Sequence, residues 1–274
     1  MPELPEVETI RLGLEKHLLG HKIEAVEIIH SKIFQGDPQK IIGAKFIKTR
    51  RLGKVLILDL DNNFSLVIHV KMTGQLIYSK SYIPHKHTHV IFKLKSKNSK
   101  VKGDAQLFYN DIRKFGWIRI VPTNEVLEMK FLKELGPEPL FGLTINVFQK
   151  IISNKSAPIK TLIMDQTKIG GVGNIYANDA LFLAGIHPSR KAATLSKNEI
   201  NKLFKALENV LRKGIKYGGS SENTYLNALG ERGSYQEHSL VYGKKGKNCP
   251  KCKSPIQVIR LGGRGTFFCP RCQA

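Results

Sequence analysis

The sequence predicts an α+β protein, with an antiparallel β-sandwich first, a helical segment next and a metal-bound β-hairpin at the carboxyl end. Three observations support this. Short β-branched or alternating runs fill the first half, helical periodicity replaces them from about residue 131, and all four cysteines lie after residue 248. With 274 residues, 41% of them hydrophobic, the chain is long enough for two domains. The first-half runs fit either a sandwich or a barrel.

The helix expected at 5–19 places Val7, Ile10, Leu14 and Leu18 at helical spacing, with acidic residues in its first turn. Strand-like runs follow it, and they are separated by turn residues such as 61–63 and 102–104. These runs are 54–60, 64–70, 89–95, 105–109 and 115–121.

The second half begins with a proline-bounded linker around 135–140. Ser196 and Glu199 form a capping-box pattern that opens an amphipathic helix, which we expect to stop at Gly218-Gly219. A polar stretch and a basic tail complete the chain. We therefore divide the sequence into an N-terminal domain, a linker, a helical domain and a C-terminal hairpin, at 1–130, 131–148, 149–237 and 238–274.

The net charge points to a polyanionic partner. Lys and Arg number 44 against 22 Asp and Glu, which gives a formal charge of +22. No apolar run approaches the roughly 18 residues of a membrane span, and the acidic amino terminus is unlike a signal peptide. We expect no membrane segment, and the clustered cysteines favour a reducing compartment such as the cytoplasm.

The cysteines form two C-x2-C pairs, Cys249 with Cys252 and Cys269 with Cys272. This spacing is typical of four thiolates around one tetrahedral Zn²⁺, and a closed site of that kind is structural. The alternatives are two disulfides or a redox C-x-x-C. The intervening residues predict a hairpin with Gly262-Gly263 at its tip and Arg264 beside it.

Pro2 follows the initiator methionine, whose removal leaves a secondary amine. An α-amino group has a pKa near about 7.7 to 8, so part of it is unprotonated at neutral pH. With an aldehyde-level carbon such an amine forms an iminium ion, which is an electron sink for later eliminations. A Met-Pro start alone is weak support, because many proteins begin in this way.

Four motifs strengthen the interpretation of Pro2 as a nucleophile. PELPEVET at 2–9, NDIRKFG at 110–116, GVGNIYANDALFLAGIHP at 171–188 and the four-cysteine finger together closely resemble the formamidopyrimidine-DNA glycosylase family, bacterial enzymes that remove oxidised purines such as 8-oxoguanine. The resemblance runs nearly end to end. It implies a helix-two-turn-helix domain after the β-sandwich, a loop over the flipped base, and a monomer that acts on double-stranded DNA containing oxidised bases or AP sites.

The resemblance also implies catalytic roles. Pro2 would attack C1′ and form the iminium, Glu3 would transfer the proton that opens the sugar at O4′, and Lys54 would assist base release and β-elimination. Arg264 matches an arginine credited with proton donation in δ-elimination. Because guanidinium is a poor acid with planar donors, we expect Arg264 to clamp the leaving phosphate instead. An ordinary exposed lysine is the alternative for Lys54.

The remaining functional positions contact DNA. Met72 and Phe115 would fill the space left by the flipped base, and Arg113 would bond the orphaned cytosine. Sheet core is the alternative for Met72 and Phe115. The other DNA contacts that the resemblance implies are His87, Lys155 and Asn174.

Four further expectations concern local structure and departures from the family. Glu6 is expected to support helix capping and orientation, and Asn174 to cap its own helix. Asp179 replaces a glutamate and is taken as a helix-stabilising acid, whereas Leu229 replaces an aspartate in the loop over the flipped base.

Two other functions fit parts of the sequence. A noncatalytic zinc-ribbon protein would explain the charge and the cysteines but leaves PELPEVET and Lys54 unexplained. A related glycosylase acting mainly on oxidised pyrimidines would share the same chemistry.

Overall fold

The computed structural model describes residues 1–96, 105–153, 155–222 and 224–274. They form two compact units. The first comprises Met1–Lys133 with Gly218–Ser234, and the second comprises Glu134–Tyr217 with Tyr235–Ala274. These units are defined by contacts, so the domain boundaries at 130, 148 and 237 stay predictions. The turn expected at 102–104 lies outside the described residues.

The first unit begins with helix α1 (Leu4–Leu18), close to the predicted 5–19. Val7, Ile10, Leu14 and Leu18 are buried, as their helical spacing predicts, and they join the core of the unit.

The described residues of this unit then form nine strands: β1 (Lys22–Ile28), β2 (Phe34–Gln35), β3 (Phe46–Leu52), β4 (Val55–Leu60), β5 (Phe64–His69), β6 (Gly74–Ser79), β7 (Thr88–Lys95), β8 (Ala105–Asp111) and β9 (Trp117–Pro122). They form a four-stranded sheet in the order β1-β7-β8-β6 and a five-stranded sheet in the order β2-β9-β5-β4-β3. All pairs are antiparallel except β2 with β9.

One core lies between the two sheets. It combines Leu58 and Leu66 of the five-stranded sheet with Phe92 and Leu107 of the four-stranded sheet. The structure is therefore a sandwich rather than a barrel. The opposite face of the five-stranded sheet is covered by the segment that ends in α2 (Lys130–Lys133), which explains why β4 is buried along its whole length.

The second unit is helical and ends in the hairpin. Its elements are α3 (Ile145–Ile152), α4 (Ile159–Met164), α5 (Asn174–Ala184), α6 (Lys197–Lys216), α7 (Tyr235–His238), β10 (Gln257–Leu261) and β11 (Arg264–Phe268). Helix α6 begins with the predicted capping box between Ser196 and Glu199. Strands β10 and β11 pair in register around Gly262-Gly263, which confirms the predicted hairpin. Within the described ranges, no helix combines the length and the apolar character needed to cross a lipid bilayer.

Candidate active site

Pro2 and Glu3 lie directly before helix α1. Pro2 is buried, and Glu3, the N-cap residue of α1, is 3% exposed. The backbone N–H of Glu3 donates to Oε2 of Glu6 at 2.7 Å. The capping and orienting role expected for Glu6 is therefore confirmed.

Glu6 also connects this helix to a distant part of the sequence. Its Oε1 accepts a hydrogen bond from the backbone N–H of Ser220 at 2.8 Å, and its carbonyl accepts one from the Tyr225 hydroxyl at 3.2 Å. Gly219 has a φ of +81°, and a Cβ there would lie 2.8 Å from Cγ of Glu6. Only glycine fits this close approach. The segment 218–234, which we name the strap, is thus tied to the front of α1.

Lys54 lies in the two-residue turn between β3 and β4, directly after Gly53 at a φ of +56°. Lys54 is 7% exposed, so the alternative of an ordinary exposed lysine is wrong. Burial and the charges of Lys71 and Lys54 lower the pKa of His69 to about 3. His69 is therefore neutral near Lys54 at physiological pH.

Met72 and Phe115 lie in loops at the same edge of the sandwich rather than in the sheets. Met72 is half-buried in the turn before β6, whereas Phe115 is 54% exposed between β8 and β9. The sheet-core alternative is therefore wrong for both residues. The guanidinium carbon of Arg113 lies 4.6 Å from the centroid of the Phe115 ring, which is a cation–π distance.

A residue that the sequence analysis did not single out brings these loops together. Asp111 is fully buried at the end of β8. Its Oδ1 accepts hydrogen bonds from the Thr73 hydroxyl and from the Arg113 backbone N–H, the latter at 3.1 Å. Its Oδ2 accepts one from the Gly116 backbone N–H at 2.8 Å.

Asp111 also reaches the position of His87. The Asp111 backbone N–H donates to the His87 carbonyl at 2.9 Å. The Asp111 carboxylate therefore binds the turn next to Met72 and the loop that carries Arg113 and Phe115, and the Asp111 backbone binds His87. The signal in the sequence was an acidic residue of NDIRKFG at the end of the apolar run 105–109, because an acid that follows a buried strand needs several donors.

In the second unit, Asn174 does not cap its helix. Gly173 is the N-cap of α5 and Asn174 is its first residue, so the predicted cap is wrong by one position. The Asn174 Nδ2 instead donates to the Gly265 carbonyl at 3.1 Å. The likeness of Asn to a typical cap residue misled the prediction, because glycine in extended backbone fills this position without a side-chain bond.

Lys160, another residue not predicted, holds the same carbonyl. Its Nζ donates to Gly265 at 3.2 Å and to the Thr266 hydroxyl at 2.7 Å, and the residue is 1% exposed. Asn178 accepts from the Phe267 backbone N–H at 2.8 Å. The hairpin is thus seated on α4 and α5 by three polar side chains. A lysine within the apolar sequence IKTLIM was the signal.

Arg264 is exposed at the start of β11 and faces a groove of about 360 Å³, whose lining includes Thr161, Asp165 and Gly262. Lys155 is exposed after α3, and its carbonyl accepts from the Ala193 N–H at 2.9 Å. Both cations are accessible, as a phosphate contact requires.

Asp179 has a different role from the one expected. It is fully buried, and its carboxylate accepts hydrogen bonds from the Tyr235 hydroxyl and from the backbone N–H groups of Leu240, Val241 and Tyr242. Burial raises the pKa of Asp179 although these donors oppose the shift. The acid therefore holds residues 235–242 against α5, whereas Leu229 is simply 44% exposed in a turn of the strap.

The four cysteine sulfurs fit a zinc ion. All four Sγ atoms lie within 4.8 Å of one another, with Cys249 to Cys272 at 3.9 Å and Cys252 to Cys269 at 3.4 Å. Tetrahedral Zn–S bonds of about 2.3 Å place sulfurs about 3.8 Å apart, whereas a disulfide requires about 2.05 Å. The disulfide and redox alternatives are therefore rejected, and the hairpin carries one structural zinc site.

Comparison with known proteins agrees with this arrangement. Residues 1–118 match the formamidopyrimidine-DNA glycosylase N-terminal domain, residues 135–225 its H2TH domain, and residues 246–274 the zinc finger found in FPG and IleRS. The formamidopyrimidine-DNA glycosylase of Desulfitobacterium hafniense is 42% identical over 280 residues, and that of Listeria innocua is 38% identical over 280 residues. Both alignments cover 100% of each chain.

Solved structures give the same result. A mutant of the Lactococcus lactis enzyme, in complex with DNA containing Fapy-dG, has a TM-score of 0.90 and 37% identity. The Lactococcus lactis enzyme in complex with abasic-site DNA has a TM-score of 0.90 and 36% identity. Each match covers 99% of both chains. On sequence and fold alike, this chain belongs to the formamidopyrimidine-DNA glycosylase family.

Proposed function

We propose that the protein is a bifunctional DNA glycosylase and AP lyase that removes oxidised purines from double-stranded DNA. The observation that carries the proposal is the full-length similarity to formamidopyrimidine-DNA glycosylases. The similar solved structures include complexes with DNA that contains Fapy-dG or an abasic site. The charge of +22 suits the DNA backbone. We propose that it works as a monomer in the bacterial cytoplasm.

The reaction begins at Pro2 once Met1 has been removed. The proline nitrogen bonds to C1′ while the bond from C1′ to the base breaks, and the base leaves with the electron pair. The proton that the proline nitrogen loses goes to the departing base. Glu3 donates a proton to O4′ as the sugar ring opens, which gives the iminium. Glu3 is suited to this because it lies next to the nucleophile and is almost excluded from water.

Elimination completes strand cleavage. Loss of a C2′ proton lets the iminium accept the electrons, and the 3′ phosphate leaves. A second elimination releases the 5′ phosphate, and water then frees Pro2. Lys54 assists base release and the first elimination, and the exposed guanidinium of Arg264 clamps a leaving phosphate. The zinc ion supplies no chemistry and keeps the hairpin folded around its four thiolates.

The void left by the flipped nucleotide is filled from the loops that Asp111 binds. Phe115 and Met72 wedge into the stack, and Arg113 bonds the orphaned cytosine. Stacking by an aromatic side chain is worth about 1 to 3 kcal/mol per base, which offsets part of the flipping cost. His87, Lys155 and Asn174 contact the backbone.

Borohydride trapping tests this proposal. Reduction of the iminium should give a covalent complex between the protein and a duplex containing 8-oxoguanine, and Pro2→Gly should reduce its yield at least 100-fold. Lys93→Ala, on strand β7, serves as the control. Binding without any covalent complex or strand cleavage would instead favour a noncatalytic zinc-ribbon protein. Faster release of thymine glycol than of 8-oxoguanine would favour the oxidised-pyrimidine alternative.

A further inference from the structure

A buried ion pair connects helix α1 with the turn that carries Lys54. The Nε of Arg51 lies 2.9 Å from Oε2 of Glu8, and the two side chains are 3% and 8% exposed. The Nη1 of the same guanidinium donates to the Gly53 carbonyl at 2.7 Å. Arg51 therefore contacts both the helix that begins behind Pro2 and the residue directly before Lys54.

The carboxylate of Glu8 is held from its other side as well. Arg11, one turn further along α1, donates to Oε1 of Glu8 from Nε at 3.0 Å and from Nη2 at 2.8 Å. Arg11 is itself paired with Glu15 at 2.8 Å. Each Glu8 oxygen is thus assigned to one arginine, so the carboxylate has a fixed direction with respect to α1.

The chemistry of guanidinium makes this link rigid. Its donors are fixed in one plane, so a bond from Nε to Glu8 determines where Nη1 points. A lysine ammonium has no such second, fixed direction. Gly53 is in the left-handed region at a φ of +56°, which glycine adopts without strain. Its carbonyl accepts a hydrogen bond from Arg51, which fixes the orientation of this peptide.

Stability alone is a weak reason for burying these charges. Removing an ion pair from water costs several kcal/mol per ion, and apolar side chains of similar size are often as stabilising. A positional role accounts for the pair, because Glu8 belongs to the helix that begins behind Pro2 and Arg51 bonds the turn that carries Lys54.

We propose that Arg51 is a positioning residue, which fixes the Lys54 turn relative to helix α1 and thereby sets the approach of Lys54 to the sugar that Pro2 attacks. Arg51 acts through Lys54 and does not touch DNA. The inference rests on the proposed function, in which Pro2 and Lys54 act on the same nucleotide.

Three variants test the inference by single-turnover kinetics on an 8-oxoguanine duplex, with binding measured separately on a duplex that contains an uncleavable abasic analogue. Glu8→Met combined with Arg51→Met removes both charges of the buried pair together, and Arg11 keeps its second partner, Glu15. Arg51→Lys keeps a charge beside Glu8 but cannot hold Glu8 and Gly53 in the same geometry. Arg50→Met is the matched control, because Arg50 lies next in the same strand but pairs with Asp59 at 2.7 Å.

We expect the double variant and Arg51→Lys to lose at least tenfold in the rate of base release and β-elimination, while affinity for the abasic analogue stays within twofold. Arg50→Met should keep the wild-type rate within twofold. If the double variant does not fold, as judged by circular dichroism, Arg51→Lys decides. Wild-type rates in a folded variant, or equal losses of rate and affinity, would overturn the positioning role.

The wild-type protein separates this inference from the proposed function. A wild-type protein that forms no borohydride-trapped complex refutes the glycosylase function itself. A wild-type protein that is trapped, together with folded variants that react normally, refutes only the role of Arg51.

Discussion

The Asp111 carboxylate accepts the backbone N–H of Gly116 at 2.8 Å and so closes the loop that presents Arg113 and Phe115. A Cβ at Gly116 would lie 1.8 Å from the Tyr109 hydroxyl, so the loop passes too close to the sheet for any other residue. Since Asp111 also binds the turn next to Met72, one side chain determines the relative position of all three proposed void-filling residues.

Asp111→Asn should weaken this junction. Both carboxylate oxygens accept N–H or O–H donors, and the amide nitrogen of Asn would face one of those donors instead of accepting from it. A buried group left unsatisfied costs about 1 to 3 kcal/mol. We expect affinity for a lesion-containing duplex to fall about tenfold, measured by fluorescence anisotropy. Asp61→Asn, which alters an exposed bond to Lys45, is the control, and equal affinities for wild type and Asp111→Asn would contradict the expectation.

Glu6→Gln should loosen the strap. Glu6 accepts N–H groups from Glu3 and Ser220 on its two oxygens, and a glutamine can accept on only one. We expect hydrogen exchange at the Ser220 amide to be at least tenfold faster, as read by NMR or mass spectrometry. Glu231→Gln changes an exposed acid within the strap, at its bond to Asn227, and should leave that exchange unchanged. Unaltered protection in Glu6→Gln would show that the strap is held by other contacts.

Acid should destabilise the second unit through Glu199. The hydrogen bond from Arg190 is the main cause that lowers the pKa of Glu199 from 4.5 to about 2. As the folded pKa is lowered, the stabilisation is complete above pH 4.5 and is lost as pH falls toward about 2. Because the side chain is 28% exposed, solvent screening limits this to about 1 kcal/mol.

Urea unfolding at pH 6 and at pH 3 measures the contribution of Glu199 to the free energy of unfolding. Because part of the contribution remains at pH 3, Glu199→Gln should reduce the loss of unfolding free energy between the two pH values by about 0.6 kcal/mol. Glu208→Gln, in the same helix, is the control. An identical acid sensitivity of wild type and Glu199→Gln would exclude this carboxylate as a source of it.

Zinc removal should unfold the hairpin. Metal binding contributes on the order of 10 kcal/mol to the folding of small zinc modules, and Cys249 and Cys269 belong to the buried cluster beside the hairpin, together with Val241 and Ile256. We expect Cys252→Ser or treatment with a chelator to abolish strand cleavage and to release the amide protection of β11. Added Zn²⁺ should restore both in the chelated wild type, and Mg²⁺ should not. Full cleavage by protein shown to be metal-free would refute a structural need for the ion.

The sequence predicted the elements with the strongest periodicity. Helix α6 was located by its capping box and apolar stripe, and β4 and β5 by β-branched or alternating runs. Strand β1 was missed because a bulge between Ile23 and Ala25 interrupts its alternation. Strand β6 was missed because it begins with glycine, which is typical of turns.

The candidate site was predictable where chemistry depends on residue type and spacing, as for the cysteines. The site was harder to predict where function depends on the contacts of a side chain. Nothing in the sequence pattern shows that Asp111 accepts from two loops, or that Lys160 is buried against a carbonyl 105 positions away. Such partners are separated widely along the chain, and only tertiary structure brings them together.

The hairpin is held mainly through its main chain, by Lys160 and Asn174 at the Gly265 carbonyl and by Asn178 at the Phe267 N–H. Lys160 adds a bond to the Thr266 hydroxyl. Every amino acid offers a carbonyl, and all but proline offer an N–H, so these three main-chain bonds do not depend on which side chains stand at positions 265 and 267. The helices that form the seat have no such freedom. A substitution on the exposed side of the hairpin should therefore leave its seat on α4 and α5 intact.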